Sequence, residues 1–109
     1  MGITKTDVYT DEQNQLADLL KAIAHPARIA ILQKLSSVDC CICRDFSEDI
    51  DLSQPTISRH LGELKAAGLI SGTISGTTKS YCLNPGRWKA VSAIINGFVG
   101  AMGNGAKCC

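Results

Sequence analysis

Apolar residues fall into helical phase soon after the chain begins. Leu16, Leu19, Leu20 and Ile23 recur at spacings of three and four, which predicts a first helix capped by Thr10 with Glu12 and Gln13 in its first turn. His25-Pro26 ends it, because a residue before proline is pushed out of helical angles, and Pro26 is suited to start the next helix. Ile29, Ile31, Leu32 and Leu35 give that second helix its apolar face. Residues 39–43 suit a short strand or a helix start, and a short helix over roughly 43–50 turns Phe46 and Ile50 inward. Asp51 and Leu52 make a tight turn. Ser53 then caps a helix that opens on Gln54-Pro55, and Ile57, Leu61 and Leu64 form its inner stripe, with Gly68 as the terminating residue.

The period then changes from helical to alternating. Leu69–Ser75 and Lys79–Leu83 read as two strands joined through Gly76-Thr77-Thr78, a short β-hairpin that Asn84-Pro85 stops. A last helix runs from about Pro85 to Met102, carrying Trp88, Val91, Ile94, Ile95, Phe98 and Val99. Its apolar surface is broad for a 109-residue chain, which points to burial against a second subunit. The expected organisation is a flexible tail over 1–9, one domain over 10–102 and a flexible, cysteine-containing tail over 103–109. The fold class is mainly α with a β-hairpin wing (α+β): a winged helix-turn-helix of about five helices and two to three short strands.

Charge changes the picture. The net charge of +1 is unremarkable, but it is the sum of two unlike halves. Residues 1–52 hold five Lys/Arg against nine Asp/Glu, and residues 53–109 hold six against Glu63 alone. A basic half suits a phosphate backbone, although chance segregation in a short chain would look the same. No apolar run is as long as a membrane span and the N-terminus lacks a signal-peptide pattern, so the expectation is a soluble cytoplasmic protein.

Two helices joined by a tight turn place the second in a DNA major groove. With Ile57, Leu61 and Leu64 assigned inward, Gln54, Thr56, Ser58, Arg59, His60 and Glu63 are read as outward. These are groups of the kind that read base edges and hold phosphates, and the guanidinium of Arg59 is the strongest candidate contact. The bland alternative is a polar surface helix on a core. The hairpin behind it and the basic balance favour DNA.

The stretch "DLSQPTISRHLGELKAAGLI" (51–70) and the following "GTTKSYCLNP" (76–85) resemble the ArsR/SmtB family of metal-responsive repressors, as does "LLKAIAHPARIAILQKL" (19–35). The resemblance covers about residues 16–100. It implies a symmetric homodimer, formed through the first and last helices, on double-stranded operator DNA with dyad symmetry. By the family's pattern Gln54, Thr56, Ser58 and Arg59 face the groove, and Gly76, Thr77 and Lys79 of the wing lie along the backbone or minor groove.

Six cysteines stand at 40, 41, 43, 82, 108 and 109. Without a secretion signal, such clusters bind soft metals or sense redox state more readily than they form a disulfide framework. The family's arsenic sensors carry a C-x-C pair at the start of the helix before the recognition helix, where Cys41-Ile42-Cys43 stands here. Those sensors often have a third cysteine three residues on, but this chain has Phe46 there. Cys40, or Cys108 or Cys109 from the tail, are substitutes. Thiolates suit trivalent arsenic or antimony, which would act as inducer, with no resident cofactor required. Cys82, on an alternating strand, reads as a packing residue. Zinc fits less well: the C-x₂₋₄-C spacing of a structural site occurs once, at Cys40 and Cys43, with no second ligand pair, and residues 85–109 hold no His, Asp or Glu for the interhelical site of some relatives.

The resulting expectation is a repressor that leaves its operator when arsenic or antimony binds. A thiol-redox or other soft-metal response on the same scaffold is the alternative. An enzyme is not expected, since the chain has neither a phosphate-cradling loop nor a C-x-x-C opening a helix after a strand.

Overall fold

A computed structural model describes residues 8–38, 46, 50–73 and 80–104. The elements in order are α1 (Asp11–Ile23), α2 (Pro26–Ser36), α3 (Gln54–Ala66), β1 (Ile70–Thr73), β2 (Ser80–Leu83) and α4 (Pro85–Asn104). The described residues thus hold four helices and one two-stranded antiparallel hairpin. The short helix expected near 43–50 and the hairpin turn at 76–78 lie outside them, apart from Phe46 and Ile50. Ile50 N–H donates to the Phe46 carbonyl at 2.9 Å.

Local chemistry explains where the helices begin. Thr10 caps α1 through a reciprocal pair: its Oγ1 accepts from Gln13 N at 3.1 Å, and its own N–H donates to Gln13 Oε1 at 3.0 Å. Pro26 opens α2 as expected, but the cap is His25, whose Nδ1 accepts from Ala27 N at 3.0 Å. Asn84 Oδ1 accepts from Arg87 N at 3.3 Å at the start of α4.

The end of α3 has a specific motif. Gly68 sits at φ +79°, donates to the Lys65 carbonyl at 2.9 Å, and Leu69 N–H reaches back to the Leu64 carbonyl at 3.0 Å. This double reverse bond satisfies carbonyls the helix leaves open, and it needs a residue at ease with positive φ. Leu64 and Leu69, the apolar pair that closes such a motif, are both fully buried.

The core gathers one face from every element. Ile31 and Leu35 from α2, Ile57, Leu61 and Leu64 from α3, and Tyr81 and Val91 from β2 and α4 are all buried. Phe46 joins them, its ring 5.5 Å from that of Tyr81. The hairpin register pairs Ile70 with Leu83 and Gly72 with Tyr81. Two apolar positions read as part of an inner face are exposed instead: Leu20 on α1 and Ile29 on α2. On α4 only Val91 is buried, while Phe98, Val99 and Met102 are 46, 57 and 59 % exposed.

Candidate nucleic-acid interface

Helix α3 is built to show one face. Ser53 precedes it with extended backbone (φ −68°, ψ 155°), and Pro55 stands in the first turn, where no intrahelical donor is needed. The Ser53 side chain makes no capping bond to the helix; its hydroxyl pairs with that of Thr56 at 2.9 Å. Gln54 Nε2 donates to Ser58 Oγ at 3.1 Å, one turn on. These bonds hold four polar side chains in set positions at the N-terminal end of the helix. Gln54, Thr56 and Ser58 are half-buried, and Arg59 and Glu63 are exposed. A helix N-terminus carrying hydroxyl, amide and guanidinium groups has the donors and acceptors that base edges and phosphates require.

His60 corrects the sequence reading. The expectation places it outward among the groove-facing residues, but it is only 5 % exposed, and a side chain so buried cannot reach a base. Its position explains why. His60 is three residues after Ile57 and four before Leu64, so it shares their stripe. The imidazole is satisfied inside: Nδ1 accepts from Arg28 Nε at 3.1 Å, and the His25 ring stands 4.3 Å away, tilted by 44°. Burial, then the charges of His25, Arg28 and Arg59, lower its pKa below the ordinary 6.5, against a smaller opposing pull from Glu63.

Arg28 and His25 were missed by sequence reasoning. Arg28 spans two elements, because its Nη1 also donates to the Ala22 carbonyl at 2.9 Å in the last turn of α1. The spacing 57-60-61-64 is the signal that a polar residue had joined the inner face. A buried histidine needs a donor or acceptor across the interface, and Arg28 on the neighbouring helix supplies it.

The far end of α3 is tied to the hairpin and to α4. Lys65 Nζ donates to the Gly72 carbonyl at 2.6 Å, and Arg87 Nε to the Ala67 carbonyl at 3.4 Å. Helix α3, the hairpin and α4 are thus linked by side-chain bonds as well as by chain connectivity.

The wing residues Gly76, Thr77 and Lys79 lie outside the described residues, as do Cys40, Cys41, Cys43, Cys108 and Cys109. Cys82 is half-buried on β2 and disulfide-bonded, which corrects its reading as a simple packing residue. Among the described residues no group of three His, Cys, Asp or Glu side chains could hold a metal ion, and no helix is long and apolar enough to cross a membrane.

Known proteins share these elements. Residues 25–71, from the cap of α2 to β1, match the family described as bacterial regulatory protein, arsR family. An uncharacterized HTH-type transcriptional regulator of Methanocaldococcus jannaschii is 31 % identical over 87 residues, covering 79 % of this chain and 97 % of that protein. The arsenical resistance operon repressor of Staphylococcus xylosus is 36 % identical over 70 residues, covering 64 % of this chain and 66 % of the repressor. A solved structure of a possible transcriptional regulator for arsenical resistance superposes with a TM-score of 0.64 at 28 % identity, over 74 % of this chain and 83 % of the other.

Proposed function

The chain belongs to the arsR family of bacterial regulatory proteins, a family of DNA-binding transcriptional regulators and not of enzymes, and from that membership we propose a repressor that reads its operator with α3 and releases it when soft metalloid binds cysteine thiolates. The observation that carries the DNA-reading part is the two-faced geometry of α3. Ile57, Leu61 and Leu64 are fully buried, while Arg59 is exposed beside the pre-ordered pair Gln54 and Ser58. The protein acts in the cytoplasm as a homodimer on a dyad-symmetric site. Support for the dimer comes from Phe98, Val99 and Met102, which leave the outer half of α4 apolar and uncovered.

The inducer is trivalent arsenic or antimony. Support is the Cys41-Ile42-Cys43 pair, whose thiolates suit soft ions, and the likeness to an arsenical resistance repressor. Cys40, Cys108 and Cys109 are the candidates for a third sulfur. The route to the DNA would run through Phe46, three residues after Cys43, which is buried in the same core as Ile57 of α3. A coupling of about 1–3 kcal/mol between the two sites is typical of such linkage.

The test is a titration of arsenite into protein held on the promoter fragment of its own gene, under reducing conditions. Release is expected, and Cys41→Ser or Cys43→Ser should abolish it. Retention of the wild type at saturating arsenite would end the metalloid reading. The disulfide at Cys82 favours a second reading, a thiol-redox response. In that case peroxide alone releases the DNA and dithiothreitol restores it.

A further inference from the structure

One polar contact of α3 is not used in reading DNA. His60 sits on the buried stripe, yet apolar packing alone would fill that position without a hydrogen bond. Its Nδ1 accepts from Arg28 Nε at 3.1 Å. The same guanidinium, through Nη1, holds the Ala22 carbonyl at 2.9 Å. One planar fork therefore joins the last turn of α1, the first turns of α2 and the inner face of α3. The corner is finished by His25, which caps α2 through its own Nδ1 and sets its ring 4.3 Å from that of His60.

We propose that His60 is a positioning residue for operator binding: its neutral imidazole, as acceptor for Arg28, fixes the recognition helix against the α1–α2 corner, and a proton on that ring releases the helix. The inference rests on the regulator reading above.

The chemistry comes from the inventory of donors. A guanidinium never gives up its N–H, so the Arg28–His60 bond exists only while Nδ1 carries a lone pair. Protonated imidazole has N–H at both nitrogens, and two donors then face each other. The charges around the ring offer little compensation. Arg28 and His25 face it from α2, and Arg59 and Glu63 stand on its own helix. From α1, Asp18 and Lys21 line the cleft that Arg28 and Glu63 also line. Of the charged groups that act on the ring, Glu63 favours the proton while His25, Arg28 and Arg59 oppose it, and burial outweighs Glu63. Acidification would therefore be felt by the angle of α3 before it reaches any groove-facing residue. Histidine is the side chain whose unperturbed charge change lies in this range.

The test has two arms. In the first, ¹⁵N-resolved NMR of the full chain follows the His60 ring and the amides of residues 54–66 from about pH 7.5 to about pH 5. Nδ1 is expected unprotonated at the upper end, and the α3 amides should move with the ring as it gains a proton. A proton on Nδ1 at the upper end, or α3 amides that ignore the ring, would overturn the proposal. In the second arm, binding to the promoter fragment of the protein's own gene is measured over the same range for the wild type and for His60→Asn. Asparagine can place an acceptor near the Nδ1 position and does not titrate. The wild type should weaken about tenfold, within the ordinary range of coupling between two sites, and His60→Asn should show no such slope. Equal slopes would overturn the proposal. A wild type that binds no DNA at the upper end would instead refute the regulator reading, and the NMR arm would still decide how α3 is held.

Discussion

Trp88 Nε1 donates to the Leu69 carbonyl at 2.9 Å, so the first turn of α4 is bonded to the residue on which the chain leaves α3. The same carbonyl accepts from Asn84 N at 3.2 Å. Leu69 is the closing residue of the motif that ends α3, and Arg87 reaches the neighbouring Ala67 carbonyl. The apolar helix proposed for dimerisation thereby grips the end of the helix proposed for DNA. Trp88→Phe keeps an aromatic ring and removes one donor, while Asn84 continues to serve the carbonyl. The expected cost is about 1 kcal/mol, a single hydrogen bond, read by urea unfolding at fixed protein concentration. A midpoint equal to that of the wild type would show that the bond adds nothing.

Two glycines should respond to alanine with opposite signs. Gly72 lies in β1 at φ +126°, and a Cβ there would overlap the Ser80 carbonyl on the paired strand. Both backbone strain and the clash oppose a side chain, so Gly72→Ala should destabilise by about 2–3 kcal/mol. Gly62 is inside α3, and nothing lies within 4 Å of where its Cβ would stand. There the gain in helix propensity should dominate, and Gly62→Ala should stabilise the DNA-free protein by about 0.5–1 kcal/mol. Thermal unfolding of both variants checks the pair. A stabilised Gly72→Ala would mean the hairpin is not joined in this register.

Much of this was legible in the sequence, because it depended on local rules. Thr10, Pro26, Ser53 and Gly68 mark helix ends at the positions found, and the stripe Ile57, Leu61, Leu64 shows which way α3 faces. What was misread needed a partner distant in sequence. His60 looks like a groove residue by chemical type, and only Arg28, 32 residues earlier, makes its burial tolerable. Leu20 and Ile29 look like core residues by type, yet the single chain leaves them exposed. Hydrophobic phase tells which residues seek cover, but not which neighbour provides it. The cysteines of the proposed metalloid site at 40, 41, 43, 108 and 109 fall outside the described residues, so their case still rests on spacing and thiolate chemistry.

Arg59 is where the DNA reading is most directly exposed to refutation. The side chain is exposed on α3, so its removal should leave the fold intact. Alanine is also the better helix former at that position. Arg59→Ala should weaken binding to the promoter fragment by about 1–3 kcal/mol, and Arg59→Lys should not restore it fully if the guanidinium binds as a fork. Fluorescence anisotropy at one fixed salt concentration measures both. If Arg59→Ala binds as tightly as the wild type, α3 does not present this face to DNA.

Stability of the DNA-free protein should also depend on the His60 proton. In the unfolded chain the imidazole has its ordinary pKa of 6.5, and in the fold burial lowers it, assisted by His25, Arg28 and Arg59. Between those two values the unfolded chain binds more protons than the folded one. The free energy of unfolding therefore rises with pH across that window. Read downwards, the contribution is intact above 6.5, declines as pH falls toward the lowered folded value, and levels off once both states are protonated. Asparagine at position 60 has no proton to bind, so His60→Asn should lose this part of the slope and keep the slopes of all other groups. Subtracting its urea-unfolding profile from that of the wild type isolates the histidine. A flat difference through the window would show that the fold does not hold the ring neutral.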